Sequence, residues 1–365
     1  MAQVTRNIGL SLGADICWPL CYEQIIAELD LAIDWQGDRV GIAVDRVSIE
    51  PYDLRQPCRY DVVLDRLTHW FFTSREWIKK AIVMDGLYVL NNPWAVQSME
   101  KQTTYCAMMH LGYPMFMKPY DGGGWKAVSR IPDEATLRKR YEESGTMVMH
   151  LQKAVEPFDR FVRCIGLGPQ TRIVRYDPSV PLHDRYTMDQ EAQFLAGDDA
   201  QTLRDITLTI NAFFGWDFNS CESLSKDGVW YPIDFANPCP DSQVTSLHYH
   251  FPWLLMAKIR WSVFCAVTKR PFRMNLDWAP FYAVAADADM PFRDKLAAYA
   301  RIAEHRFETA RFEEFCQQHL PHLDEVAWRF FGTPAAKEAF RKKTAALYPA
   351  HEVKQFTELF WNRVQ

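Results

Sequence analysis

Asn219-Ser-Cys-Glu222-Ser-Leu-Ser-Lys-Asp227-Gly228-Val-Trp-Tyr-Pro-Ile-Asp234-Phe-Ala-Asn237-Pro238 is the stretch that decides how this chain reads. Two alternating apolar runs flank Lys226-Asp227-Gly228, the pattern of a β-hairpin. A three-residue turn over Lys226 to Gly228 pairs residues whose numbers sum to 454. Glu222 then opposes Pro232 and Asp234 opposes Ser220, so the acids share one sheet face on a diagonal within side-chain reach. A two-residue turn would put them on opposite faces, so the turn length carries the reading. Two carboxylates on one face repel unless a cation lies between them. The amide oxygen of Asn237 adds a neutral ligand to give the hard, all-oxygen set that Mg²⁺ takes, usually completed by phosphate and water.

A second segment points to the phosphate. Gly112-Tyr-Pro-Met-Phe-Met-Lys118-Pro119-Tyr-Asp121-Gly122-Gly123-Gly124-Trp125-Lys126 reads as a short apolar strand followed by a glycine loop. Gly122, Gly123 and Gly124 let the backbone approach an anion and turn its N–H groups toward it. Lys118 adds a point charge for the same anion. The loop is not of the Walker type, because the lysine precedes the glycines and no Gly-Lys-Ser/Thr follows.

In this order the two segments resemble the ATP-grasp superfamily of ligases, the group of glutathione synthetase and D-alanine–D-alanine ligase. The resemblance runs from about Asn91 to Asp241 and includes Asn91-Asn-Pro, Lys101, Met117-Lys-Pro, Met149-His-Leu-Gln-Lys-Ala-Val155, Asp159, Glu222 and Ile233-Asp-Phe-Ala-Asn-Pro238. It implies that Lys101 and Lys118 hold the α- and β-phosphates of ATP and that Gly122 to Gly124 form a flap over the γ-phosphate. It makes Gln152, Lys153, Ala154 and Val155 the hinge whose backbone reads adenine, and Asp159 the acid on the ribose. Glu222, Asp234 and Asn237 are its Mg²⁺ ligands.

The chain departs from that pattern in four places. Two residues, not one, separate Asp234 from Asn237, so either a bulge brings Asn237 to the metal or Asn237 is not a ligand. The ribose acid is Asp where Glu is common. An Arg often found two residues before the first metal acid is replaced by Ser220, so Lys126, Arg163 or Arg175 must serve the transferred phosphate. Lys101 and Lys118 are also only 17 residues apart, too few for the usual helix, linker and two strands. Either the small lobe is unusually reduced or a stretch of chain is missing near His110 to Gly112. The second is favoured, because removing a lobe strand would expose a sheet edge, and a discontinuity near His110 to Tyr113 is expected.

Composition narrows the class. At 365 residues and 48% hydrophobic content, the chain can bury a large core in two or three domains. With 41 basic and 46 acidic residues the net charge is −5, so composition offers no basic face for nucleic acid. Nine cysteines without a zinc-type spacing point to reduced thiols and the cytosol. No signal-peptide core and no apolar run of bilayer length is present. His248 and His250, like His319 and His322, are read as structural histidines, not metal ligands.

Hydrophobic periodicity predicts an α+β protein of four parts. Residues 1–95 form an α/β domain of the kind that precedes ATP-grasp lobes. It has strands over 7–13, 39–47, 60–65 and 87–90, and helices over 22–33 and 74–84. Residues 96–150 form the small lobe, with a helix over 98–111, strands around Lys118 and over 126–131, and a helix over 133–143. Residues 151–245 form the large lobe, with strands over 158–166 and 171–176, a loop over 177–190, a helix over 198–214 and the metal hairpin. Residues 246–365 are helical, over 246–268, 291–318, 323–331, 334–346 and 351–362; they could cap the site, build a homodimer surface or recognise a substrate.

The resemblance implies an ATP- and Mg²⁺-dependent carboxylate–amine ligase working through an acylphosphate, with Lys118, Lys126, Arg163 and Arg175 nearest the chemistry. Its partners would be a small-molecule acid and amine. Arg160, Arg172, His183 and Arg185 are further basic candidates, although alternation puts Arg160 on the opposite face from Arg163. A phosphotransferase and a non-catalytic nucleotide binder are the alternatives.

Overall fold

A computed structural model describes residues 2–12, 15–48, 55–67, 71–97, 115–119, 127–237 and 239–365. Within them the strands form three sheets. The first has the order β2-β3-β1-β4-β5, with β1 (Gln3–Ser11), β2 (Ala32–Trp35), β3 (Asp38–Arg46), β4 (Val62–Asp65) and β5 (Tyr88–Leu90). β1 runs parallel to β3 and β4, and β4 parallel to β5. Such a sheet must be covered on both faces. Ile8, Leu10, Val62 and Leu64 pack toward the helix Cys17–Leu29, and Val63 and Val89 toward the helix Phe72–Asp85. The first helix stops at Leu29, earlier than the expected Ile33. Asp30 takes φ 42°, and Ile33 is buried as a strand residue opposite Val40.

The second sheet is small and antiparallel: β7 (Ser129–Ile131), β6 (Met115–Pro119) and β8 (Met149–Lys153), in that order. Met115, Met117 and Ile131 pack with Leu137 of the helix Glu134–Glu143, which Asp133 caps by accepting from the Thr136 N–H. The third sheet has the order β10-β9-β11-β12, with β9 (Arg160–Leu167), β10 (Gln170–Arg175), β11 (Phe218–Lys226) and β12 (Val229–Asp234). Its Val162, Cys164, Ile173 and Trp230 face Leu203 of the helix Asp199–Phe214. Phe161, Val174 and Leu224 lie on the opposite face.

The C-terminal region does more than cap the other parts. The helix Phe251–Val267 is apolar nearly all round and buried along almost its whole length, as a helix in the middle of a core must be. It packs on β1, β4, β9 and the helix Cys17–Leu29. One continuous core cluster therefore joins the first sheet, the third sheet and the last helices. The helix expected over 291–318 is two, Phe292–Phe307 and Thr309–His319, broken where Glu308 takes φ 54°. A helix at Ala279–Ala286 was not anticipated. Among the described residues no helix is long and apolar enough to cross a membrane.

Candidate active site

β11 and β12 turn through Asp227 and Gly228, with φ of 52° and 75°, the left-handed pair that a two-residue hairpin turn requires. Lys226 faces Val229 and Ser223 faces Pro232. The three-residue turn, and with it the diagonal between Glu222 and Asp234, is therefore corrected. On this tighter register alone the acids would fall on opposite faces. A bulge then adds Ile233 to β12 and brings Glu222 directly opposite Asp234. Such partners have Cβ atoms about 4.5–5.5 Å apart. Pro232 has no N–H for the ladder, and bulges on edge strands are where such residues belong. The Ile233 carbonyl accepts from Gln152 Nε2 at 2.9 Å.

Arg163 faces Glu222 from the other side, on β9. Arg163, Glu222 and Asp234 thus form a row across three strands on the face turned away from the helix Asp199–Phe214. Burial by itself would lower the Arg163 pKa, but Tyr186, Glu222, Asp241 and Asp234 outweigh it and hold the guanidinium above its ordinary value. Arg163 Nε and Nη2 donate to Ser220 Oγ at 3.1 and 2.9 Å, and Nη1 donates to the Tyr186 hydroxyl. The guanidinium therefore stands over Ser220.

Asn237 reaches the same hydroxyl, its Nδ2 donating to Ser220 Oγ at 3.0 Å. Asn219, fully buried, makes this possible. Its Oδ1 accepts the Asn237 N–H at 2.8 Å and its Nδ2 donates to the Phe235 carbonyl at 2.8 Å. One side chain thus guides the chain past the end of β12. With the Asn237 nitrogen engaged, its amide oxygen is the group left for a cation. Two directly opposed carboxylates and a neutral amide oxygen suit Mg²⁺, which takes one or two carboxylates and completes its shell with phosphate and water. Among the described residues no cluster of three His, Cys, Asp or Glu side chains offers an alternative centre.

The small sheet presents its polar face to this hairpin. Lys118 lies opposite His150 and Gln152 opposite Phe116, so these four share a face, the reverse of the one holding Met115 and Met117. Gln152 bridges to Ile233, as above. Lys153 is exposed, Ala154 is buried, and Val155 packs with Phe161, Leu224 and Ile233. Asp159 is exposed and donates its N–H to the Ser225 carbonyl at 2.7 Å, two residues before Phe161. Lys101, Gly122, Gly123, Gly124, Lys126 and the interval from His110 to Tyr113 lie outside the described residues.

Other basic candidates stand apart. Arg175 lies opposite Val162, on the face away from Glu222, and pairs with Asp189 at 2.9 Å. Arg160 pairs with Asp199 at 2.8 Å. Arg172 lies 3.4 Å from His250 Nδ1. Arg185 donates to the Tyr176 hydroxyl and the Val180 carbonyl, and His183 neighbours Asp184. His248 and His250 each bond a backbone carbonyl of the 177–190 loop, His183 O and Thr187 O, at 2.8 Å. Burial lowers both to a pKa of about 4, so they are neutral struts.

One cluster escaped the sequence reading. β1 leads to β2 and β3 on one side and pairs with β4 on the other, so the carboxyl ends of β1 and β4 mark a topological switch point, where open α/β sheets bind ligands. Arg66, just past β4, donates from Nε to Asp15 Oδ2 at 2.9 Å and from Nη1 to the Pro240 carbonyl. Arg66, Trp18 and Lys258 line one pocket. Lys258 Nζ lies 3.6 Å from the Trp18 ring centroid and donates to Ser242 Oγ at 3.0 Å. Asp241 acts electrostatically on Arg66, Lys258 and Arg163 alike, linking this crevice to the acid row. The available signals were Asp65-Arg66 directly after an apolar strand and Lys258 within a strongly apolar helix.

Neither a protein-family model nor a curated protein matches the sequence. Solved structures similar to the chain include ligases and ATP-grasp proteins by description. A D-alanine–D-alanine ligase from Bacillus anthracis complexed with ATP is 13% identical, with 74% of this chain and 99% of that one covered and a TM-score of 0.46. A RiPP-associated ATP-grasp ligase from Chryseobacterium gregarium, in complex with ADP and a leader and core peptide, is 12% identical, with 76% and 100% covered and a TM-score of 0.46. A RimK domain ATP-grasp protein from Sphaerobacter thermophilus is 13% identical, with 64% and 92% covered and a TM-score of 0.40.

Proposed function

We propose that the chain is an ATP-grasp ligase that uses ATP and Mg²⁺ to join a carboxylate to an amine. The observation that carries the reading is the row Arg163, Glu222 and Asp234 on one sheet face, bridged by Gln152 to the face that bears Lys118. The phosphates would meet Lys118 and, in the reading from sequence, Lys101 and the amides of Gly122 to Gly124. Adenine would lie against Gln152 to Val155 and the ribose against Asp159. Mg²⁺ held by Glu222, Asp234 and Asn237 supplies neutralisation of phosphate charge when bound.

Arg163 would balance charge on the phosphoryl group in flight, a role in which preorganised donors contribute most. Lys126 remains a candidate for the same role, whereas Arg175 faces the other way. Arg66 and Lys258, at the switch point, would hold the acid substrate. Its carboxylate oxygen attacks the γ-phosphorus as the bond to ADP breaks, giving an acylphosphate. The amine then attacks the carbonyl carbon, phosphate leaves with the C–O bonding pair, and the amine gives up a proton. No protein nucleophile is required. The eight described cysteines form no disulfide.

The test is chemical trapping. Full-length protein is given ATP, Mg²⁺, hydroxylamine and a panel of carboxylic acids. A hydroxamate formed together with ADP supports the reading. AMP with pyrophosphate would mean an adenylate, and a stably phosphorylated hydroxyl would mean a kinase; either overturns it.

A further inference from the structure

A second cationic site lies at the other end of β11. Asp217, just before that strand, is five residues from Glu222, about 17 Å along an extended strand. Arg270, Arg273 and Arg306 line one pocket with Tyr88, Gly215 and Asp217. The acids nearby are already engaged. Asp217 Oδ2 accepts from the Tyr88 hydroxyl at 2.5 Å and from Trp261 Nε1 at 3.0 Å. Glu308 is shared between Arg270 and Arg311. Three arginines at the pocket thus face two acids, one of which also serves a fourth arginine.

Of the three, Arg306 carries a donor, its Nε, that is both buried and unpaired among the described residues. Its carbonyl, not its guanidinium, is what Arg270 Nη2 meets at 2.5 Å. Burial lowers the Arg306 pKa, and Arg273 and Arg270 lower it further against Asp217 and Tyr88. Gly215, at φ 70°, makes the approach possible: a Cβ there would lie 3.3 Å from Arg306 Nη2 and 2.5 Å from Leu276 Cδ2. The carbonyl ends of the helices Asp199–Phe214 and Phe292–Phe307 favour a cation here, but they leave the Arg306 Nε unanswered. A buried N–H without an acceptor is destabilising, and an anion would relieve it.

We propose that this pocket binds a small doubly charged oxyanion of the phosphate type, gripped by Arg306 with Arg270 and Arg273 and separate from the nucleotide phosphates. Guanidinium forks match the geometry of such oxygens. The site stands independently of the ligase reading, since none of its residues belongs to that machinery.

Inorganic phosphate is the probe, titrated into full-length protein at low salt without nucleotide and followed by calorimetry and melting temperature. The expected result is saturable binding that persists in Lys118→Ala and weakens at least roughly 10-fold in Arg306→Gln and in Arg273→Gln, since each removes a charge-assisted bond. Without phosphate, Arg306→Gln should melt no lower than the parent, because a buried donor without an acceptor has gone. Absence of saturable binding overturns the proposal. So does binding that survives both arginine substitutions but is lost in Lys118→Ala. Should Arg306→Gln fail to fold, Arg273→Gln, at an exposed position, decides alone.

Discussion

Replacing Lys258 by Met should change the pH dependence of stability in a direction and size that follow from its surroundings. Its side chain is buried, and burial, then Arg66, push its pKa from 10.5 down to about 7 against the opposing pull of Asp15, Cys239 and Asp241. A fall of that size corresponds to about 5 kcal/mol. Below pH 7 both folded and unfolded chains carry the proton, and the folded state bears the whole penalty. Between pH 7 and 10.5 the unfolded chain holds the proton and the folded one does not, so stability rises with pH and the penalty fades. Lys258→Met has no such window. Urea unfolding of both proteins from pH 6 to 9.5, followed by tryptophan fluorescence, should show Met ahead by about 5 kcal/mol at pH 6, with the lead shrinking toward pH 9.5. A lead that is constant, or that grows with pH, would refute the reasoning.

Three further outcomes are expected. Glu222→Gln or Asp234→Asn should lower Mg²⁺-dependent ATP turnover by about two to three orders of magnitude with circular dichroism unchanged; full turnover would remove these acids from the metal. Asp159→Ala should weaken ATP binding in calorimetry more than it slows turnover at saturation, and an unchanged affinity would count against the ribose contact. Gly166→Ala would set a Cβ 2.4 Å from Asn211 Nδ2 and 3.0 Å from Thr207 Cγ2, a clash costing about 1–3 kcal/mol. Because Asn211 accepts from Asn219 Nδ2 at 3.0 Å, the strain should travel to Asn237; a melting temperature equal to the parent's would mean that the helix Asp199–Phe214 yields freely.

Local pattern sufficed for most of the strands, because alternation and turn residues act over a few positions, but it carried the first helix on to Ile33, where β2 lies. The face shared by Glu222 and Asp234 was legible, yet for a reason that needed correcting. An Asp-Gly turn can close over two residues as easily as three, and the bulge at Ile233 that restores the face depends on Pro232 and on Gln152 from another sheet. Arg163 was one name among four on β9 and β10, and alternation could set Arg160 apart from it but could not say which face meets Glu222. That came from the pairing of β9 with β11, a contact between residues nearly 60 apart in sequence. Asn219 as the clamp on Asn237, the crevice of Asp15, Arg66 and Lys258, and the arginines around Gly215 were invisible for the same reason. Each joins segments separated by 16 to more than 200 residues, and periodicity carries no information over such distances. The sequence by itself determined most of the element types and the chemistry available to them; tertiary packing decided which charges meet, because only burial and cross-strand register bring an arginine, two acids and an amide to one face.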